Sequence, residues 1–169
     1  MYDYQFDDDA FAAWVLMHQT WYVMRKSEER KLAKVGLTPE RLQVLSVCTD
    51  YPGTLIPEEI SRLIFRDSQS VSGLLNRMER DGLVRRVPKR KGHPFTEVHL
   101  TPRGEELCPR GIEAITALVT KVMSCLSAEE LEQLQKLLRK LRQNTLEELH
   151  LELMPPPSWA GGEVIDVER

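Results

Sequence analysis

Cysteine is scarce in this 169-residue chain. The three present, Cys48, Cys108 and Cys125, are scattered and form no CxxC pair. That excludes a disulfide scaffold and a zinc ribbon, and it favours reduced thiols in the cytoplasm. Long apolar runs are also missing: no stretch reaches the roughly 18 residues a transmembrane helix needs, so no membrane association is expected. The opening Met1–Asp9 is acidic, whereas a secretory signal would be basic and then apolar. There is no GxGxxG, P-loop, HExxH or GxSxG. The four histidines are dispersed, and no pair of acids has a spacing that demands catalysis. Glu147 and His150 sit three apart on one helix face, but two ligands do not make a metal site. The expectation is a chain with no catalytic residue, no cofactor and no metal.

Charge of one sign is absent only on average. The chain carries 23 Lys+Arg against 26 Asp+Glu, a formal net charge of −3. From Arg62 to Arg103 there are ten basic and four acidic residues, so this segment is +6 and the remainder −9. A basic centre between acidic ends suggests one surface built to meet a polyanion.

The pattern is mainly helical. Asp7-Asp8-Asp9 can cap a helix over about 10–34, with Phe11, Trp14, His18, Trp21 and Tyr22 in one stripe and Gly36 after it. Thr38-Pro39-Glu40 opens a second helix, which Tyr51-Pro52-Gly53 ends. Thr54-Leu55-Ile56 reads as a single short strand. Pro57-Glu58-Glu59 opens a brief third helix; Asp67 or Ser68 caps a fourth, which Gly82 stops. Two short strands, 83–87 and 95–100, flank a basic turn and read as a hairpin. A helix follows from Thr101 to about Cys125. A capping box at Ser127–Glu130 opens the last, bearing Leu131, Leu134, Leu138, Leu141, Leu149 and Leu153. Pro155-Pro156-Pro157 ends it, and 154–169 is expected to be a flexible tail.

Two short helices, a turn and a basic hairpin make a winged helix-turn-helix. The second helix of such a pair enters the DNA major groove, so it must be apolar behind and small or polar in front. Val71, Leu74, Leu75 and Met78 supply the back. Ser68, Gln69, Ser70, Ser72, Gly73 and Asn76 supply the front; Gln and Asn can pair bidentately with adenine. Arg77, Arg85 and Arg86 can neutralise phosphates. Lys89, Arg90, Lys91 and His93 can lie on a neighbouring minor groove.

These residues resemble the MarR family of bacterial regulators. The resemblance is carried by Ile60–Leu63, by Ser68–Arg86 with its Asn76-Arg77-Met78-Glu79-Arg80-Asp81-Gly82-Leu83-Val84, and by Leu100-Thr101-Pro102-Arg103-Gly104. It covers about residues 10–153. One departure stands out: the family's wing usually carries Asp-x-Arg, and this chain has Gly92-His93-Pro94 there.

The resemblance implies a homodimer joined by its N- and C-terminal helices, two recognition helices on a pseudo-palindromic double-stranded operator, and often a small effector bound between the dimer helices and the DNA-binding lobe. It partitions 1–153 as one domain: dimerisation helices 10–35 and 104–153 around a winged lobe 38–101. The function expected is that of a cytoplasmic, dimeric repressor released by a ligand. The aromatic stripe of Trp14, His18 and Trp21 reads either as packing or as the wall of an effector pocket. Cys48 reads as an inert buried thiol. The alternative function is a helical protein-interaction module that uses a winged fold without binding DNA.

Overall fold

The structure, a computed structural model, describes residues 6–51, 55–88 and 96–151. Local capping chemistry starts nearly every helix. Asp8 caps α1 (Asp9–Ala33), accepting from the Phe11 amide at 2.6 Å. Thr38 caps α2 (Pro39–Asp50), with proline at the first turn, where its missing N–H costs nothing. Helix α3 (Pro57–Leu63) also begins on proline, and the Ile56 amide donates back to Glu59 at 2.9 Å. Asp67 caps α4 (Ser68–Arg80). Strands β1 (Val84–Pro88) and β2 (Thr96–Leu100) pair antiparallel, Val84 opposite Leu100 and Pro88 opposite Thr96. Thr101 caps α5 (Pro102–Met123), and a reciprocal Ser127–Glu130 box caps α6 (Ala128–Glu148). The fold is the expected one, mainly helical with a winged helix-turn-helix at its centre.

Three local expectations change. The strand at 54–56 reduces to a single bridge, Leu55 opposite Val98, with the Val98 amide donating to Leu55 at 2.8 Å; Thr54 lies outside the described residues. Helix α6 stops at Glu148, so Leu149 follows it and His150 takes a left-handed φ of 52°. Glu147 and His150 therefore do not share a helix face, and among the described residues no cluster of ligands could hold a metal. Leu153 and the expected tail lie outside the described residues.

The core sits in the lobe. Leu45 of α2, Ile60 of α3, Val71, Leu75 and Met78 of α4, Val84 of β1 and Val98 of β2 are buried together. Helix α5 is stitched onto this lobe at its start. Thr101 donates its hydroxyl to the Gly82 carbonyl at 2.6 Å and accepts from the Gly104 amide at 3.2 Å. Gly82, at a φ of 69°, supplies the left-handed turn that aims β1 back along α4. Gly104 then lies against backbone: a Cβ there would stand 2.2 Å from the Leu83 carbonyl oxygen. At Gly111 a Cβ would meet only side-chain ends, Leu42 Cδ1 at 2.7 Å and Leu37 Cδ1 at 2.8 Å.

This difference gives a graded expectation. Gly104→Ala, which must move backbone, is expected to lower stability by more than about 2 kcal/mol, and Gly111→Ala by roughly 1 kcal/mol, because the leucine methyls can rotate away. Urea denaturation of both variants checks the order; equal midpoints would contradict the packing described.

Candidate nucleic-acid interface

The turn between α3 and α4 is built by backbone and polar contacts. The Arg66 amide donates to the Ser61 carbonyl at 2.9 Å, and the buried Ser61 hydroxyl donates to the Glu58 carbonyl at 2.7 Å. Phe65 holds the turn at a φ of 52°, a region that costs a non-glycine residue about 1–2 kcal/mol, and it is 62% exposed. Nothing in the sequence marks it, since glycine is the usual residue for that geometry. Asp67 follows, and donation from Ser70 holds its carboxyl below the usual carboxylate range.

Helix α4 has two opposed faces. Val71, Leu74, Leu75 and Met78 are buried. Gln69, Ser72 and Asn76 are exposed along the opposite side with Gly73 half-buried among them, at three- and four-residue spacing. Ser68 and Ser70 are exposed at its N-terminal turn. Arg77 is exposed and lies over Gly73; a Cβ added at Gly73 would stand 3.6 Å from the Arg77 guanidinium. A groove of about 620 Å³ runs beside this face toward the start of α2. Thr38, Arg41, Arg66 and Arg77 line it, and of these the sequence pattern marks only Arg77 for the interface. Arg66 is legible as part of the basic segment, but its position at the groove needs the fold.

Most of these cations are already paired. Arg66 donates to Glu40 at 3.1 Å, and Arg25 of α1 binds the same Glu40 oxygen. Arg41 of α2 pairs with Asp81. Arg86, expected to be a phosphate contact, is held by Glu79. Its amide donates to one carboxylate oxygen at 2.8 Å; Nε and Nη2 donate to the other at 2.9 and 2.7 Å. These bonds hold the Glu79 carboxyl below the usual range and lock β1 to the last turns of α4. Arg86 is therefore not a free cation. Among the described residues Arg77 and Arg85 have no such partner. Lys89, Arg90, Lys91 and His93 lie outside the described residues.

Trp14, His18 and Trp21 line neither the groove beside α4 nor an apolar cavity between α1, α2, α3 and α5. Trp14 is 54% and Trp21 65% exposed, and His18 packs on Trp14 with ring centroids 4.6 Å apart. That cavity lies where the four helices meet; its volume is about 330 Å³. Cys48 is half-buried nearby on α2. Burial pushes its thiol up to about 12, with Cys108 adding to the rise, and such a thiol is inert. Cys108 is buried and Cys125 exposed. Among the described residues no single helix is long and apolar enough to cross a membrane.

Residues 35–93 match the model of the MarR family. No curated protein sequence matches the chain. Solved structures share its fold. The ligand-free organohalide sensing transcriptional regulator RdhR is 24% identical, with 90% of this chain and 95% of that one covered and a TM-score of 0.76. MepR of S. aureus, in a complex with DNA, is 23% identical, with 78% and 96% covered and a TM-score of 0.72. AbsC, a MarR family transcriptional regulator from Streptomyces coelicolor, is 21% identical, with 84% and 98% covered and a TM-score of 0.75. The fold is thus that of the MarR-type winged helix-turn-helix regulators.

The Glu79–Arg86 clamp gives a pH signature. A carboxyl lowered on folding adds stability above its ordinary value of about 4.3, and that contribution is lost as pH falls through the lower folded value. The melting-temperature gap between the native chain and Glu79→Gln should therefore be widest near neutrality and narrow as pH falls below about 4.3. A gap that stays constant across this range would show that the carboxylate carries no such linkage.

Proposed function

We propose that this chain, with its MarR-family segment at residues 35–93 and that family's fold, is a cytoplasmic, dimeric, sequence-specific DNA-binding repressor that a small molecule releases from its operator. One observation carries the reading: α4 buries its apolar side completely and leaves a bare row of Gln69, Ser72, Gly73 and Asn76. A major groove needs that profile. The DNA-bound state of MepR supports it for a chain of this fold.

The roles divide along the helix. Gln69 and Asn76 read bases; Ser68, Ser70 and Ser72 contact backbone or base edges near the N-terminal turn; and Gly73 lets the helix sit close. Arg77 meets a phosphate. Lys89, Arg90, Lys91 and His93 supply the wing's approach to the minor groove. Arg86 keeps a positioning role, holding the wing's first strand against α4 through Glu79.

Dimerisation rests on uncovered apolar surface. Phe11, Trp14, Trp21 and Tyr22 on α1, Val119 and Val122 on α5, and Leu137, Leu138 and Leu141 on α6 are all exposed in the single chain. So much apolar surface on long helices calls for a partner. A second copy joins them in a two-fold frame made of residues 10–35 and 104–153, with 38–101 as the DNA-binding lobe. Trp14, His18 and Trp21 then belong to that frame rather than to an effector pocket. The cavity between frame and lobe is the effector site, and a ligand there shifts the separation of the two α4 helices. A related fold has been solved with 2,4-dichlorophenol bound.

Gel-shift titration against DNA upstream of its own gene tests the reading; no retardation by any genomic fragment at low salt would sink it. Arg90→Ala should weaken binding to all sequences alike and lower the salt slope by about 1, whereas Gln69→Ala should change which sequence is preferred. Identical effects from both would refute this division. Sedimentation at micromolar concentration should report a dimer, and a monomer would remove the two-fold reading.

A further inference from the structure

The cavity between α1, α2, α3 and α5 is apolar with an acidic rim. Leu32, Leu42, Val47, Leu63, Ile64 and Ile115 form most of its wall. Three polar side chains reach it: Glu28 of α1, and Gln43 and Ser46 of α2. None of the described residues that line it is a cation. Arg25 is bound to Glu29 and Glu40, and Lys26 to Glu29.

Glu28 itself is half-buried and has neither a hydrogen-bond nor an ion-pair partner among the described residues. Gln43 is exposed and has no partner among the described residues, and Ser46 meets only the Cys108 sulfur at 4.0 Å. A carboxylate at the edge of an apolar cavity, with no donor facing it, favours a cationic guest over an anionic one by its charge. Apolar walls with a few polar groups are the ordinary make-up of a small-molecule site.

We propose that this cavity binds a lipophilic cation: an aromatic or alicyclic body against the leucine and isoleucine wall, and an ammonium donating to Glu28 with Gln43 beside it. The volume sets the size. A dry cavity of roughly 150 Å³ takes a benzene ring; at about 330 Å³ this one has room for two rings. The same carboxylate disfavours ligands that carry a carboxylate or phenolate. Naming this cation as the signal that releases DNA rests on the regulatory function proposed above; its binding to the cavity does not.

Three isosteric probes decide the matter: 2-naphthylmethylammonium, 2-naphthylmethanol and 2-naphthoate, titrated by calorimetry into the full chain. The ammonium is expected to bind at least about tenfold more tightly than the naphthoate. Glu28→Gln should abolish that preference while leaving the alcohol unchanged, and Ile115→Trp, which fills the cavity, should weaken all three. Should Glu28→Gln fail to fold, the ratio of ammonium to naphthoate affinity in the native chain decides alone. Equal binding of the two ions, an ammonium affinity untouched by Glu28→Gln, or no binding of any probe overturns the proposal. Gel shifts on the same preparation separate the two readings. Ammonium binding without DNA binding removes the regulatory function only, and DNA binding without a charge preference removes the cation site only.

Discussion

Helix α4 has to be buried on one side and left bare on the other, and the rest of the lobe is arranged around that constraint. Each of Val71, Leu74, Leu75 and Met78 contributes about 1.5–3 kcal/mol by leaving water, so the helix is anchored without help from its front. Helix α3 and β1 cover the back, and α5 is drawn in over the same core by the Thr101 and Gly104 contacts. None of the described residues folds over Gln69, Ser72 or Asn76. Their exposure is therefore a product of the packing and not a gap in it.

The charge distribution takes a different meaning once the side chains have partners. The central segment is basic by composition, yet Arg62, Arg66 and Arg86 each face an acid. Among the described cations of that segment, Arg77 and Arg85 stand out as unpaired. Surface pairs of this kind contribute little to stability. They do fix where the guanidinium groups point, and the Arg86 pair ties β1 to the recognition helix.

What can be read from the sequence is local. Thr38-Pro39, Asp67-Ser68, Ser127–Glu130 and Thr101-Pro102 announce helix starts because a cap and its recipient amide are two or three residues apart. The alternation of apolar and polar residues over 68–80 displays both faces of α4 within four turns. What cannot be read depends on distance along the chain. The Glu79–Arg86 clamp forms only because Gly82 folds β1 back onto α4. The cavity takes walls from four helices, and its carboxylate comes from the second half of α1, away from that helix's aromatic stripe. Phe65 gives no signal at all, since its backbone geometry is one that its side chain opposes.

Glu40 has a further consequence. One of its oxygens receives both Arg25, from the long first helix, and Arg66, from the turn that leads into α4. A single acceptor atom cannot follow two donors in different directions. Any shift of α1 against the lobe must either drag the turn with it or give up one of the two bonds. While both bonds hold, the outer helix and the turn before α4 share one pin, and neither can slide past the other.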